Sequence, residues 1–240
     1  MKTRLYIGDA HGQHGRFNKV VVAALDAFSG TVDEIVQVGD FGFWPNCLPV
    51  GLVYHRSGFD VPVRWIDGNH EDFRTLATDP NPEDWDCTHI PRGTFEDGVF
   101  FMGGGTSHDR TGRVPGDSDY GWFPDENISQ RDFYAAMDTV EEHREAISVM
   151  CCHDTVQFAY HRLSGNGNKP RVSDPNAEAL EALFNVVRPL VYIHGHHHHS
   201  DRYEIDDTFF VSLDRCDHRS GSDFRKCTVV VRDDGTILDW

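Results

Sequence analysis

The chain has 240 residues, with 22 Lys plus Arg against 39 Asp plus Glu, for a formal net charge of -17. A surface this acidic repels polyphosphate backbones, so stable binding to DNA or RNA is not expected. The length suits a single α/β domain over residues 1–240, and the 39% apolar content is enough to build a core rather than a disordered chain.

Residues 1–8 carry neither a long apolar run nor a cleavage-site pattern, so no signal peptide is expected. No stretch approaches the ~18 apolar residues of a membrane span. Leu5-Tyr6-Ile7 predicts a strand that runs into Gly8-Asp9-Ala10-His11-Gly12, and a helical pattern follows over residues 17–28. Residues 34–38 are the next strand, ending in Gly39-Asp40, and residues 63–66 a third, ending in Gly68-Asn69-His70-Glu71. The first half therefore repeats one plan: an apolar strand, a Gly-containing turn carrying polar residues, then a helix or loop. That is an α/β signature with functional groups at strand C-terminal ends.

Residues 78–91 read as loop, and residues 99–102 as a strand ending in Gly103-Gly104-Gly105. Residues 106–127 are polar, aromatic and Gly-rich, long for a connection in a compact domain. Ser129 with Asp132 three residues on predicts a capped helix reaching about Arg144. Residues 147–152 are a strand ending in His153-Asp154. Asp174-Pro175 is an N-cap followed by proline at the first helical position, with the helix reaching about Val187. Residues 190–193 form a strand ending in His194-Gly195-His196. The tail alternates as strands over 208–213, 226–231 and 236–240, with Asp233-Asp234-Gly235 as a hairpin turn.

Six cysteines occur without a CxxC pair, and the adjacent Cys151 and Cys152 lie in an apolar run. Both suit small buried thiols, which predicts a reduced cytoplasmic protein.

Five strand ends carry metal-ligand residue types: Asp9 with His11, Asp40, Asn69 with His70, His153, and His196 with His198. Singly, each has a plain structural reading: a hydrogen-bonded histidine, a helix cap, a turn aspartate. Together, at the same end of consecutive strands, they predict a metal centre. The set mixes carboxylate, imidazole and one amide oxygen, which suits borderline divalent metals, and it lacks thiolate, which disfavours a structural zinc site. There are too many ligands for one tetrahedral ion. Two ions sharing a carboxylate use them better.

The blocks Gly8-Asp9-Ala10-His11-Gly12, Gly39-Asp40, Gly68-Asn69-His70-Glu71, His153 and Gly195-His196-His197-His198 resemble, in order, the calcineurin-like metallophosphoesterase superfamily. The resemblance covers residues 8–198 and implies a four-layer α-β-β-α sandwich of two mixed β-sheets flanked by helices. It implies that Asp9, His11 and His198 hold one metal, that Asn69, His153 and His196 hold the other, and that Asp40 bridges them. It further implies two divalent ions, manganese first with iron, zinc or nickel as alternatives, a bridging hydroxide as nucleophile, and His70 as the acid for the leaving alkoxide.

Protein Ser/Thr phosphatases share the first and third blocks but place Asp-Arg-Gly after the second. This chain has Asp40-Phe41-Gly42-Phe43-Trp44 there, which counts against that branch. That stretch, Pro91-Arg92-Gly93, and the segment from Gly103 through Trp122 to Glu126 are similar to a bacterial and phage branch. Arg110 and Arg113 are candidate phosphate or nucleotide contacts, against a reading as solvated loop arginines. His108 reads as a loop residue rather than a third-metal ligand. His197 and His199, by strand alternation with His196 and His198, are expected to be exposed or to lie behind the ligands. Phe43, Trp44, Trp122 and Phe123 are candidates to stack on a base, with core packing the favoured alternative.

The expected activity is hydrolysis of small or nucleotide phosphodiesters. The alternatives are a phosphomonoesterase (nucleotide or protein phosphatase) and a non-catalytic metal-binding scaffold. The expected partner is a small phosphoester, with no nucleic acid or membrane, and oligomeric state is left open.

Overall fold

The computed structural model describes residues 1–28, 30–44, 60–81, 83, 85–107, 122–160, 173–216 and 223–238. Among these, twelve strands form two six-stranded sheets. The first sheet has the order β12-β11-β1-β2-β3-β4, from β1 (Thr3–Ile7), β2 (Glu34–Gln37), β3 (Val63–Trp65), β4 (Thr88–His89), β11 (Thr228–Arg232) and β12 (Ile237–Leu238). The second has the order β5-β6-β7-β8-β10-β9, from β5 (Thr94–Glu96), β6 (Val99–Met102), β7 (Val149–Cys152), β8 (Val191–His194), β9 (Asp201–Ile205) and β10 (Thr208–Ser212). Strands β1 to β4 run parallel, as do β6, β7, β8 and β10, while the outer strands β11, β12, β5 and β9 pair antiparallel.

The layering follows from the two-residue period of the strands. Leu5 and Ile7 pack on α1 (His14–Ala27), while Tyr6 between them points to the other sheet. Val149 and Cys151 share that inter-sheet layer, and their neighbours Met150 and Cys152 face α3 (Gln130–His143) and α4 (Pro175–Val187). The result is helix, sheet, sheet, helices, with three apolar layers between them. It is the expected sandwich of two mixed sheets flanked by helices. The parallel strands β1, β2, β6, β7 and β8 are buried along their whole length, which is why β6 to β8 read as short continuous apolar runs.

Both predicted caps form. Ser129 and Asp132 bond each other's backbone N–H groups in a capping box, and the Asp174 carboxylate accepts from Asn176 and Ala177. Several features differ from the sequence reading. Residues 73–76 form the single-turn helix α2 (Phe73–Leu76); the 78–91 loop contains β4; residues 94–96 form β5; a 3-10 turn, Pro124–Glu126, lies inside the expected 106–127 loop; residues 224–227 are a 3-10 turn preceding β11; and β9 completes a hairpin with β10. Two- and three-residue strands gain their identity from the sheet edge they join, so no periodicity marks them in advance.

Candidate metal centre

The described ligand candidates all lie where strands β1, β2, β3, β7 and β8 end, so the C-terminal edges of both sheets converge on one site. Close packing there depends on glycine. A methyl group on Gly68 would collide with Asp40 Oδ1 and the His153 ring, and one on Gly195 would collide with Asp9 Oδ1. The turns are also strained: His11, Asp40, His196 and His198 all have left-handed backbone, with φ of 45°, 53°, 64° and 51°. For non-glycine residues this costs about 1–2 kcal/mol each, and such strain concentrates at functional sites.

Two groups of donors form. Asp9, His11, Asp40 and His198 converge as one, and Asp40, His153 and His196 as the other, with ligand atoms within 4.8 Å of one another in each. In the first, His198 Nε2 lies 3.2 Å from Asp9 Oδ2, and His11 Nε2 lies 3.8 Å from both Asp9 Oδ2 and Asp40 Oδ2. His11 and His198 bring their Nε2 atoms to 2.8 Å. In the second, His153 Nε2 lies 3.6 Å from Asp40 Oδ1 and 3.2 Å from Asn69 Oδ1. Asp40 belongs to both groups, through a different oxygen in each. The His70 ring sits beside them, 5.6 Å centroid to centroid from His11.

The donor chemistry fits a divalent cation. His153 Nδ1 lies 2.8 Å from the Val38 carbonyl, so that nitrogen carries the proton and Nε2 is left to face two oxygen acceptors. Asp9 and Asp40 are fully buried. Burial pushes both carboxyls up, but the surrounding imidazoles outweigh it and hold both below the ordinary carboxylate value. Burial likewise pushes the His153 ring down, and the charges of Asp40 and Asp9 reverse the sign. The pocket therefore favours positive charge at its centre.

Several groups that motif reading left without a role brace the ligand candidates. Glu71, fully buried, accepts the backbone N–H of Phe41 at 2.7 Å and of Gly68 at 2.7 Å, tying the turn after β2 to the turn after β3. Burial, then the charges of Asp40 and Asp67, push its carboxyl well up. Asp154 accepts from His197 Nε2 at 2.8 Å, Tyr160 Oη at 2.9 Å and the Thr155 N–H at 2.7 Å. Asp154, His196 and His197 also lie close enough to hold an ion, but Asp154 is already engaged by these donors and serves as a brace behind the histidine turn. His197 is thus buried behind the ligand candidates rather than exposed. Strand alternation is not the reason: residues 196–199 lie outside any strand, and the left-handed His196 and His198 set the side-chain directions.

Arg92 holds Asp67, Asp132 and the carbonyls of Asp125, Glu126 and Asn127, so it anchors the chain around the site's outer wall. Phe43 and Phe123 are core residues, packed on Trp65 and Phe73 respectively. Trp44 lies over Gly12 beside the His11 turn, and Trp122 is half-buried. His108, Arg110 and Arg113 lie outside the described residues. The five described cysteines are all buried, as the apolar run around Cys151 and Cys152 predicts for that pair. No helix among the described residues is long and apolar enough to cross a membrane.

Solved structures with this fold include the Plasmodium protein described as GAP50, the anchor in the inner membrane complex. It has a TM-score of 0.55 and 12% identity, over 98% of this chain and 82% of that one. A putative 5'-nucleotidase from Staphylococcus aureus aligns with a TM-score of 0.50 and 13% identity, over 98% of this chain but only 52% of the longer relative. At these identities the likeness is one of fold. Comparison with curated proteins gives no significant match. The family model for calcineurin-like phosphoesterases matches residues 3–200, a span that takes in every described ligand candidate. The chain belongs to the calcineurin-like phosphoesterase family and is a metal-dependent phosphoester hydrolase.

Proposed function

We propose that the protein hydrolyses small phosphodiesters, nucleotide-like ones among them, at a dinuclear centre. Asp9, His11 and His198 hold one ion, Asn69, His153 and His196 hold the other, and Asp40 is shared. The observation that carries this reading is the division of Asp40: its Oδ2 faces His11 at 3.8 Å while its Oδ1 faces His153 at 3.6 Å. A carboxylate with one oxygen turned to each donor group suits a bridge better than a single-ion ligand.

Two ions held there would supply Lewis-acid charge for the phosphoryl oxygens and an activated water as nucleophile. The protein's own groups do the rest. The buried carboxylates and imidazoles fix the donor positions before substrate arrives. His70 stands beside the donors without belonging to either group and hands a proton to the leaving oxygen. An alkoxide is a poor leaving group, and a retained acid favours diester cleavage. The carboxylate, imidazole and amide donors suit manganese, with iron, zinc and nickel as alternatives. Arg110 and Arg113 are proposed phosphate contacts.

Metal-stripped protein reconstituted with manganese tests this against bis-p-nitrophenyl phosphate, p-nitrophenyl phosphate and the 2′,3′- and 3′,5′-cyclic nucleotides. The expected result is chelator-sensitive turnover with diesters preferred. Preference for the monoester would replace the reading with a phosphomonoesterase. Absence of turnover by metal-loaded protein would leave a binding scaffold.

A further inference from the structure

We propose that Ser107 and Glu126 form a relay that fixes which end of the Asn69 amide faces the metal position, an inference that rests on the reading of Asn69 as a ligand. All three side chains are buried, at 2%, 1% and 0% exposure for Asn69, Ser107 and Glu126. Asn69 Nδ2 donates to Ser107 Oγ at 2.9 Å, and the Ser107 hydroxyl donates to Glu126 Oε2 at 2.7 Å. Glu126 Oε1 accepts the Ser107 backbone N–H at 3.1 Å, and the Glu126 carbonyl accepts from Gly105 at 3.1 Å.

The two ends of a primary amide have nearly the same shape and opposite polarity, and only the oxygen can ligate a cation. A hydroxyl has one proton. Given to Glu126, it leaves Oγ able only to accept, so Ser107 binds the amide NH2 and turns Oδ1 toward His153 Nε2, 3.2 Å away. The glycine-rich stretch after β6 and the 3-10 turn at Pro124–Glu126 thus act on the ligand sphere without entering it.

Glu126→Gln keeps the shape and reverses the polarity. Its carbonyl still accepts the Ser107 N–H, but its NH2 donates to Ser107 Oγ. The Ser107 proton must then go to Asn69, which draws the amide oxygen away from the metal position. Ser107→Ala removes the director and favours neither end. In full-length protein titrated with manganese against a competing chelator, Glu126→Gln is expected to weaken the ion on the Asn69 side about 10- to 100-fold, the range for losing a group that orients a ligand. Ser107→Ala is expected to weaken it less.

The double variant Ser107→Ala/Glu126→Gln decides the cause. Without the hydroxyl, residue 126 has no path to Asn69, so the double variant should match Ser107→Ala. Binding weaker than in Ser107→Ala would mean that the Glu126 charge acts directly, and would overturn the relay. If Glu126→Gln alone does not fold, the same comparison still decides. Asn69→Ala runs alongside. If it keeps both ions, the ligand reading fails. If it loses one while Glu126→Gln binds like wild type, the relay alone fails.

Discussion

The Asp40 carboxylate accepts the backbone N–H of His70 at 2.9 Å through Oδ1. The residue placed between the two donor groups therefore also fixes the turn that carries the proposed acid. The contact uses the His70 backbone, so it survives loss of the imidazole.

His70→Ala should accordingly lower turnover about a hundred- to ten-thousand-fold, the usual weight of a general acid, while metal per chain stays at the wild-type value. Asp40→Asn should do the reverse in order, losing metal first and activity with it. Elemental analysis beside diester kinetics separates the two, and loss of metal in His70→Ala would sink its assignment as a non-ligating acid.

Gly195→Ala should be far more damaging than a one-carbon change suggests. The new methyl would drive into Asp9 Oδ1, which also accepts the His196 N–H at 3.1 Å, so neither the carboxylate nor the histidine turn can retreat. Overpacking of this kind costs about 1–3 kcal/mol. Denaturant unfolding of the metal-free variant should report that cost, and metal titration should show weakened binding; wild-type behaviour in both would contradict the packing argument.

The convergence of the candidate donors was legible because each sits where an apolar strand ends, several beside a glycine, and because parallel strands deliver their C-terminal ends to one edge. Asp9, Asp40 and His153 needed no more than their place at a strand end to be singled out. The groups behind them were not legible. Ser107 and Glu126 are 19 residues apart and lie in a stretch with no periodicity, so only folding reveals that they meet at Asn69. His197 illustrates a different limit. Alternation predicts its direction correctly only in outcome, since the backbone at His196 and His198 is left-handed rather than extended. The short strands β4 and β5 are fixed by their sheet neighbours, not by their own composition.

Metal removal should destabilise the fold measurably. When no cation joins them, the buried carboxylates Asp9 and Asp40 and the four left-handed turn residues are held only by packing and by hydrogen bonds such as those from the His70 and His196 N–H groups. A ligand at a hundredfold its Kd adds about 2.7 kcal/mol per site. For a chain of this size each kcal/mol moves Tm by about 2–4 °C. Melting with and without manganese should differ by about 5–10 °C for the first site filled, and an unchanged Tm would argue against binding to the folded state.

Glu34 gives a pH test at the opposite end of the sheets. It lies beside Arg4, 2.7 Å from its Nε, and Lys2, 3.1 Å from its Nζ, with Arg4 fully buried and Glu34 3% exposed. Burial pushes the Glu34 carboxyl up, but Arg4 and Lys2 outweigh it, and it lies below its ordinary value. A carboxyl depressed in the folded state binds fewer protons there than in the unfolded chain. Its stabilisation is therefore complete above the ordinary glutamate value near 4.3 and is lost as pH falls below it. Glu34→Gln should cost about 3–5 kcal/mol at neutral pH, because the Arg4 charge stays buried with the exposed Asp97 as its remaining ion-pair partner and Glu96 as a more distant charge. The gap between wild type and variant in denaturant unfolding should be constant from about pH 7 to 5 and narrow in more acidic buffer. A gap that widens on acidification would mean that Glu34 is not the depressed carboxyl the ion pair requires.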